Sequence, residues 1–251
     1  MKPGFKLLFF FTILFAACEE SAPPGPPNNG GGNNSNCPPT VTDIDGNVYN
    51  VVSIGNQCWM KENLKTTKYR NGDDLITDLN DVEWASTVDS AWANYNNNIQ
   101  FDNIYGKLYN FPAIADSRGL CPTGWHVPTD SEWHVLIKHL DAQADTSQNS
   151  SNQSLVAGGL MKSVGDLQSG TGYWEAPNTG ATNSSNFSGV PGGYRDFNLG
   201  FQGLGIYGYW WSSSATTTDN AWGRELFFSN SNANRGNYNQ RTGKSLRCIK
   251  D

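Results

Sequence analysis

The clearest periodic pattern of apolar positions lies between residues 129 and 140. Its apolar side chains recur at intervals of three and four residues, which is the spacing of one face of an α-helix. They are Trp133, Leu136, Ile137 and Leu140. Thr129 and Glu132 stand three residues apart at the start of this pattern and form the sequence signature of a capping box. We therefore predict one principal helix that begins after Thr129, and a lesser helix over residues 155–162 that Gly158-Gly159 interrupts.

Shorter apolar runs predict antiparallel strands. Asp45-Gly46 and Gly55-Asn56 are turn signals at either end of a valine-rich run, so two β-hairpins are expected to open the globular part. Further strands are predicted over residues 208–213, 221–229 and 245–249.

The intervening segments are polar and predict irregular structure. Residues 61–103 are rich in Asn and Asp, and we expect mostly loop there, with Trp84 and Trp92 as packing anchors. Asn- and Ser-rich tracts form local turns at protein surfaces. Such surface loops are predicted over residues 94–98, 147–154 and 229–234. Two helices, short antiparallel strands and long irregular loops together predict an α+β fold.

The N-terminus has the pattern of an export signal. Lys2 and Lys6 precede an apolar run of 11 residues, 7–17, which is shorter than the roughly 20 residues of a spanning helix. The run ends in two alanines directly before Cys18, which resembles a lipobox. We predict a signal peptide over residues 1–17 and a membrane anchor through lipid on Cys18. Glu19-Glu20 resembles the acidic run that directs some Bacteroidetes lipoproteins to the outer face of the outer membrane.

A change of composition separates this anchor from the rest of the chain. Residues 18–36 contain no aromatic and no branched aliphatic side chain, and such a segment cannot bury enough apolar surface to fold. It is predicted to be a flexible tether, followed by one domain over residues 37–251. The formal charge of −6 gives the chain no electrostatic reason to bind nucleic acid. The domain holds four cysteines, and an exported protein would pair them as two disulfides in any of three ways.

Eight segments of the domain resemble one known family. They are TDIDGNVY (42–49), IGNQCWMKENL (54–64), YGKLYN (105–110), CPTGWHVPTDSEW (121–133), PNTGATN (177–183), PGGYR (191–195), YWWSS (209–213) and SLRC (245–248). In order and spacing they are similar to the Fibrobacter succinogenes major paralogous domain, a family of exported proteins in Bacteroidetes and Fibrobacteres. The resemblance spans residues 38–251 and implies a C-type-lectin-like fold, which the formylglycine-generating enzymes share. It implies no settled activity.

The resemblance also implies how the four cysteines pair. Lectin-like folds join a cysteine beside the first helix to one in the last strand, which implies a Cys121–Cys248 bridge. Cys37 and Cys58 flank the opening hairpins, where the chain can double back, so they are expected to form the second bridge.

Few residues indicate catalysis. The histidines His126, His134 and His139 lack metal-ligand spacing: His134 and His139 are five residues apart, so they face different sides of the predicted helix. The sequence contains no Gly-x-Ser-x-Gly elbow, phosphate-binding loop or calcium loop. The related oxidoreductases use an active-site cysteine pair, whereas these cysteines are assigned to structural bridges. We predict no catalytic residue, metal or cofactor.

Aromatic residues are the strongest hint of a ligand. The chain has nine Trp and ten Tyr, and flat rings with polar rims suit sugar faces. The predicted patch lies between residues 178 and 224. It consists of Tyr194, Arg195, Asp196, Trp210 and Trp222, with Trp59, Trp125, Trp133 and Trp211 as core. The expected function is a lectin-like binding or adhesion module for a glycan or a cell-surface protein. An envelope scaffold and a formylglycine-generating-enzyme-like oxidoreductase remain alternatives.

Overall fold

The computed structural model of the protein describes residues 37–147 and 151–251. The predicted signal peptide, Cys18 and the tether lie outside the described residues, as do positions 148–150 of one predicted loop. The described strands are β1 (Thr40–Thr42), β2 (Val48–Ile54), β3 (Gln57–Met60), β4 (Trp92–Ala93), β5 (Leu108–Tyr109), β6 (Trp125–His126), β7 (Asn152–Ser154), β8 (Tyr194–Asp196), β9 (Gly200–Gln202), β10 (Tyr207–Ala215), β11 (Asn220–Phe227), β12 (Ala233–Asn239) and β13 (Ile249–Lys250). The described helices are α1 (Asp81–Ser86), α2 (Asp102–Tyr105), α3 (Phe111–Ala115), α4 (Asp130–Leu140) and α5 (Ala157–Met161).

The larger strands form two antiparallel sheets. One has the order β1-β2-β3-β13-β6 and brings the two ends of the domain together. The other has the order β10-β11-β12-β7. Strands β4 and β5 form a small pair, as do β8 and β9. The result is a mixed, sheet-rich fold with few helices.

The first hairpin is organised by one side chain. The Asp43 carboxylate accepts hydrogen bonds from the backbone N–H groups of Asp45 and Asn47, at 3.0 and 2.9 Å. It also accepts one from the Tyr49 hydroxyl at 2.6 Å. Gly46 supplies the positive φ of 84° that the turn requires. Both predicted hairpins are confirmed, since β1 pairs with β2 and β2 with β3.

The two predicted helices are both present. The side chain of Thr129 caps α4, and Glu132 completes the capping box as expected. Helix α5 is shorter than the predicted 155–162. Its glycines permit close packing, because a Cβ on Gly158 would lie 2.0 Å from the carbonyl oxygen of Asn232.

The prediction of two helices was too low, because the described residues form three further short α-helices, α1, α2 and α3. Helix α1 lies within the segment predicted as loop, where Asn80 and Glu83 form a second capping box. Trp84 is the one buried side chain of α1. A single buried position gives no apolar periodicity, so the sequence did not indicate this helix. Trp92, the other predicted anchor, is half-buried in β4.

Strand predictions need three corrections in the second half of the chain. Residues 233–234 were expected to be loop but begin β12, and β7 occupies the end of the predicted 147–154 loop. Gln153 and Ser154 in β7 are buried. The predicted strand over 245–249 is reduced to β13, with single bridges at positions 243–245. These strands are polar or very short, so they lack the alternation on which strand prediction depends.

Two aromatic-rich cores fill the described domain on either side of β10. Trp211 and Trp125 belong to one core, and Trp210, Trp59 and Trp133 belong to the other. Both predicted disulfides are formed. Cys37–Cys58 has a Cα–Cα distance of 5.5 Å and Cys121–Cys248 one of 5.9 Å. Among the described residues, no helix has the length and apolar content needed to cross a membrane.

Candidate functional site

The predicted ligand patch is divided by the sheet that carries it. Along β10, Tyr209 and Trp211 point to one face and Trp210 to the other. Trp210 and Trp211 are both 0% exposed, because a core covers each face of this strand. The alternation of side chains along β10 was expected to expose Trp210 and bury Trp211, but both rings are buried.

Trp210 is a core residue, and its assignment to the patch was wrong. Its indole Nε1 donates a hydrogen bond of 2.8 Å to Oδ1 of Asn63. Its ring packs edge-on against Phe187, with 5.7 Å between ring centroids. A ligand cannot reach this ring without unpacking the core.

Arg195 also has a structural role rather than the predicted one. It is 1% exposed, and its guanidinium lies 4.4 Å from the Trp84 ring and 4.7 Å from the Phe201 ring. Nη2 donates to the carbonyl oxygen of Leu79 at 2.7 Å and to the Asp81 carboxylate at 3.0 Å. Arg195 thus fastens α1 to the domain.

Two members of the patch lie near Arg195. Asp196 closes a turn, since its carboxylate accepts from the backbone N–H groups of Asn198 and Leu199. The half-buried ring of Tyr194 packs 5.1 Å from that of Tyr209, above the Lys244 ammonium. Burial lowers the pKa of Lys244 to about 7.

Trp222 is the predicted residue that borders an accessible cavity. It is half-buried and lies on the α4 side of the sheet, away from Tyr194 and Tyr209. Between the start of α4 and the ends of β10 and β11 is an open cavity of about 560 Å³, here named the Trp222 cleft. It is lined by Asp130, Ser131, His134, Thr146, Ser214, Ala215, Thr216, Trp222 and Arg235.

One cation fixes the position of the Trp222 ring. Arg224 and Arg235 pair across β11 and β12, and Asn237 pairs with Trp222, so Arg235 lies diagonally beside the indole. Its guanidinium carbon lies 3.4 Å from the ring centroid. Arg235 Nε and Nη2 donate to the Asp130 carboxylate at 3.0 and 2.5 Å. Arg235 therefore packs on the indole while its ion pair with Asp130, the first residue of α4, holds the guanidinium in place.

Asp130 forms ion pairs with two arginines, Arg224 and Arg235, at the cleft. Arg224 donates to its carboxylate Oδ1 at 2.8 Å and to its backbone carbonyl at 3.1 Å. Burial alone would raise the pKa of Asp130, but the hydrogen bonds and charges of Arg235 and Arg224 lower it below its ordinary value. Asp130 is consequently a carboxylate at neutral pH, as both arginines require.

His134 adds an uncharged imidazole to the cleft. Its Nε2 lies 3.5 Å from Oδ2 of Asp130 but makes no hydrogen bond. Burial lowers the pKa of His134, and the nearby charges of Arg224 and Arg235 lower it further, against the opposing effect of Asp130. A neutral imidazole can donate or accept a hydrogen bond. Hydroxyl groups of Ser131, Thr146, Ser214 and Thr216 complete the polar lining.

The other two histidines serve the scaffold. His126 bridges two carboxylates, with Nδ1 2.6 Å from Asp251 and Nε2 2.8 Å from Glu132. This arrangement ties the last residue to the capping box of α4. His139 is exposed on α4 and packs beside Gly55. Within residues 37–147 and 151–251, no three His, Cys, Asp or Glu side chains are grouped to hold a metal ion.

Fold and site together define a disulfide-braced, sheet-rich domain in which the Trp222 ring borders a polar cleft. The Fibrobacter succinogenes major domain matches residues 52–250, and the chain belongs to that family. No curated protein and no solved structure matches the chain.

Proposed function

We propose that this protein is a lipid-anchored binding module with a C-type-lectin-like fold, and that the Trp222 cleft binds a saccharide. The observation that carries the proposal is a half-buried indole, fixed by Arg235, in a cleft whose other side chains are almost all polar. A sugar presents the matching surface, with an apolar face of C–H groups and a rim of hydroxyls.

The chemistry of the lining favours a saccharide over an apolar ligand. Apolar ligands enter pockets lined mainly by hydrophobic and aromatic side chains, whereas only Ala215 and Trp222 are apolar here. Hydroxyls and the neutral His134 imidazole can each donate or accept, as sugar hydroxyls also do. Two guanidinium groups, Arg224 and Arg235, outnumber the single carboxylate of Asp130, so the cleft has no acidic centre that would demand a cationic ligand.

The enzyme alternative would need an accessible cysteine pair of the kind that formylglycine-generating enzymes use. The cysteines of the described domain are paired in disulfides, and Cys58, Cys121 and Cys248 are buried. None of them lines the Trp222 cleft. These observations argue against cysteine-based oxidation at the Trp222 cleft.

Removing the indole tests the binding site. We expect Trp222→Ala to weaken saccharide binding by about 1–3 kcal/mol, the range of a central aromatic contact. A glycan array identifies the ligand, and isothermal titration calorimetry then measures wild type and variant. Trp222→Phe retains a ring and should bind with intermediate affinity.

Tyr194→Ala is the matched control, because it removes an aromatic side chain from the opposite face of the sheet. It should leave affinity unchanged. Equal affinity of wild type and Trp222→Ala, with Tyr194→Ala impaired, would place the ligand on the other face and refute the proposed site.

The lipid anchor is proposed from residues 1–18 and has its own test. Because Cys18 follows a short apolar run that ends in small residues, we expect lipidated, membrane-bound protein in the cell envelope, placed at the outer membrane. Metabolic labelling with a palmitate analogue should mark the wild type, whereas Cys18→Ser should be unlabelled and either released or unprocessed. Equal labelling of both proteins would contradict the anchor.

A further inference from the structure

A second cavity, of about 410 Å³, lies away from the Trp222 cleft and shares no lining residue with it. Its lining combines carboxylates, two hydroxyl groups and an apolar wall. The residues are Tyr69, Asp74, Ile76, Val88, Asp89, Ser90, Pro112, Asp116 and Arg118. We name it the Tyr69 cavity.

Negative charge predominates in the Tyr69 cavity. Three carboxylates and one guanidinium line it, an excess of two negative charges. Arg118 is shared between Asp116 and Asp73, at 2.8 Å from each. Hydrogen bonds from Arg118 lower the pKa of Asp116 to about 2, so this pair stays ionised.

The other two carboxylates are exposed at the cavity. Asp74 lies 3.6 Å from the Lys68 ammonium, a contact made at the surface where solvent weakens it. Asp89 is an exposed residue whose backbone N–H is bound by Thr87. These two groups leave the cavity with acceptors for a cation.

The Tyr69 hydroxyl gives an independent indication of a ligand. Tyr69 is 1% exposed, and its hydroxyl makes no hydrogen bond. Ser90 and Asp116 lie near enough to shift the pKa of Tyr69, but neither meets hydrogen-bond geometry with its hydroxyl. Buried polar groups are nearly always paired, because an unpaired one loses its bonds to water without replacement. A polar group entering the cavity would supply the missing partner.

The opposite wall of the cavity is apolar. Ile76 is 41% exposed and Val88 is 82% exposed, and both line the cavity together with Pro112. An aliphatic chain could cover these side chains while its end reached the carboxylates, in the way that lysine stems pack on apolar surface.

We infer that the Tyr69 cavity binds a primary ammonium group on an aliphatic chain, as in a lysine side chain or an aliphatic diamine. The ammonium has three N–H donors, and the Asp89 carboxylate and the hydroxyl oxygens of Ser90 and Tyr69 provide acceptors for them. The methylene groups pack on Ile76, Val88 and Pro112. A bare divalent metal ion fits less well, because the Arg118 guanidinium lies among the carboxylates.

Calorimetry on the detergent-solubilised full-length protein tests the inference with three amine probes. Cadaverine represents a free diamine, and Nα-acetyl-lysine methylamide represents a lysine in a protein. Nα,Nε-diacetyl-lysine methylamide has the same stem without the charge. We expect the first two to bind and the third to bind at least about tenfold more weakly, as loss of a charged hydrogen bond implies. The tighter of the first two identifies the source of the amine.

Variants locate the site. Asp89→Asn should weaken amine binding by about tenfold, whereas Asp219→Asn, an exposed carboxylate outside the cavity lining, should not change it. Tyr69→Phe should weaken binding several-fold and leave the melting temperature unchanged, because the hydroxyl makes no hydrogen bond in the free protein.

Equal binding of the diacetylated probe would overturn the inference. Calcium binding that depends on Asp89, without amine binding, would also overturn it and assign the cavity to a metal.

Discussion

Asp130→Ala is expected to lower the free energy of unfolding by about 3–5 kcal/mol, the cost of breaking a buried ion pair by removing one partner. Asp130 binds both Arg224 and Arg235, whose side chains are only 2% and 3% exposed. Burial lowers the pKa of Arg224 to about 10, which is still far above neutral pH. Without Asp130, two buried guanidinium groups would therefore remain charged beside each other.

The change in stability can be measured by urea denaturation followed by circular dichroism. Asp219→Ala removes an exposed carboxylate and should alter the free energy of unfolding by no more than about 0.5 kcal/mol. Asp130→Asn retains the shape of the side chain but loses its charge, so we expect an intermediate loss. A change below about 1 kcal/mol for Asp130→Ala would show that the arginines are compensated by other groups.

The same three residues explain why the cleft could not be predicted in full. Asp130 was assigned correctly to the start of a helix, since the capping box of Thr129 and Glu132 is a local signal. Its partners stand 94 and 105 residues further along the chain, and no local pattern indicates that they meet. Arg235 lies in β12, an asparagine-rich strand. Arg235 itself faces inward there, at a position where an apolar residue would have indicated a buried strand. Of the residues that line the cleft, Trp222 alone belonged to the predicted patch, because its ring and neighbouring glycine suggested a binding surface.

Local chemistry accounts for most of the elements that were predicted. Turn residues such as Gly46 and the caps of α4 determine conformation within a few residues, so their prediction did not depend on the rest of the fold. Exposure of a side chain, in contrast, depends on what packs on each face of a sheet. Trp210 and Trp222 lie in neighbouring strands and on the same face of the sheet. Phe187 packs on Trp210, whereas Trp222 lies at the open cleft, so that only Trp210 is fully buried.

Several of the segments that resemble the family meet at one buried side chain. Asn63 Oδ1 accepts hydrogen bonds from Trp210 Nε1 and Arg247 Nε, and Asn63 Nδ2 donates to the carbonyl oxygen of Tyr105. Residues 54–64, 105–110, 209–213 and 245–248 are joined there. These four segments therefore build the framework. Of the cleft lining, Trp222 and Arg235 lie outside all eight segments, whereas Asp130 and Ser131 lie within residues 121–133. The framework that these four segments build does not depend on the Trp222 and Arg235 side chains of the proposed binding cleft.

Trp210→Ala is expected to destabilise the protein by about 3–5 kcal/mol, as a large-to-small change in a packed core. The ring packs on glycine, since a Cβ on Gly208 would lie 2.4 Å from the indole. The backbone on that side cannot fill the space that the ring leaves. The substitution also removes a hydrogen bond to Asn63 and exposes part of the environment of Arg247, whose guanidinium lies 5.5 Å from the ring.

Denaturation of Trp210→Ala and Trp222→Ala, side by side, distinguishes the two rings. Trp210→Ala should lose stability, and its saccharide affinity should be unaffected at temperatures where it remains folded. Trp222→Ala should lose affinity with a much smaller loss of stability, confined to its contact with Arg235. Trp210→Phe keeps an aromatic ring against Phe187 and should fall between wild type and Trp210→Ala. A Trp210→Ala protein as stable as wild type, but unable to bind, would show instead that the buried ring becomes exposed to the ligand.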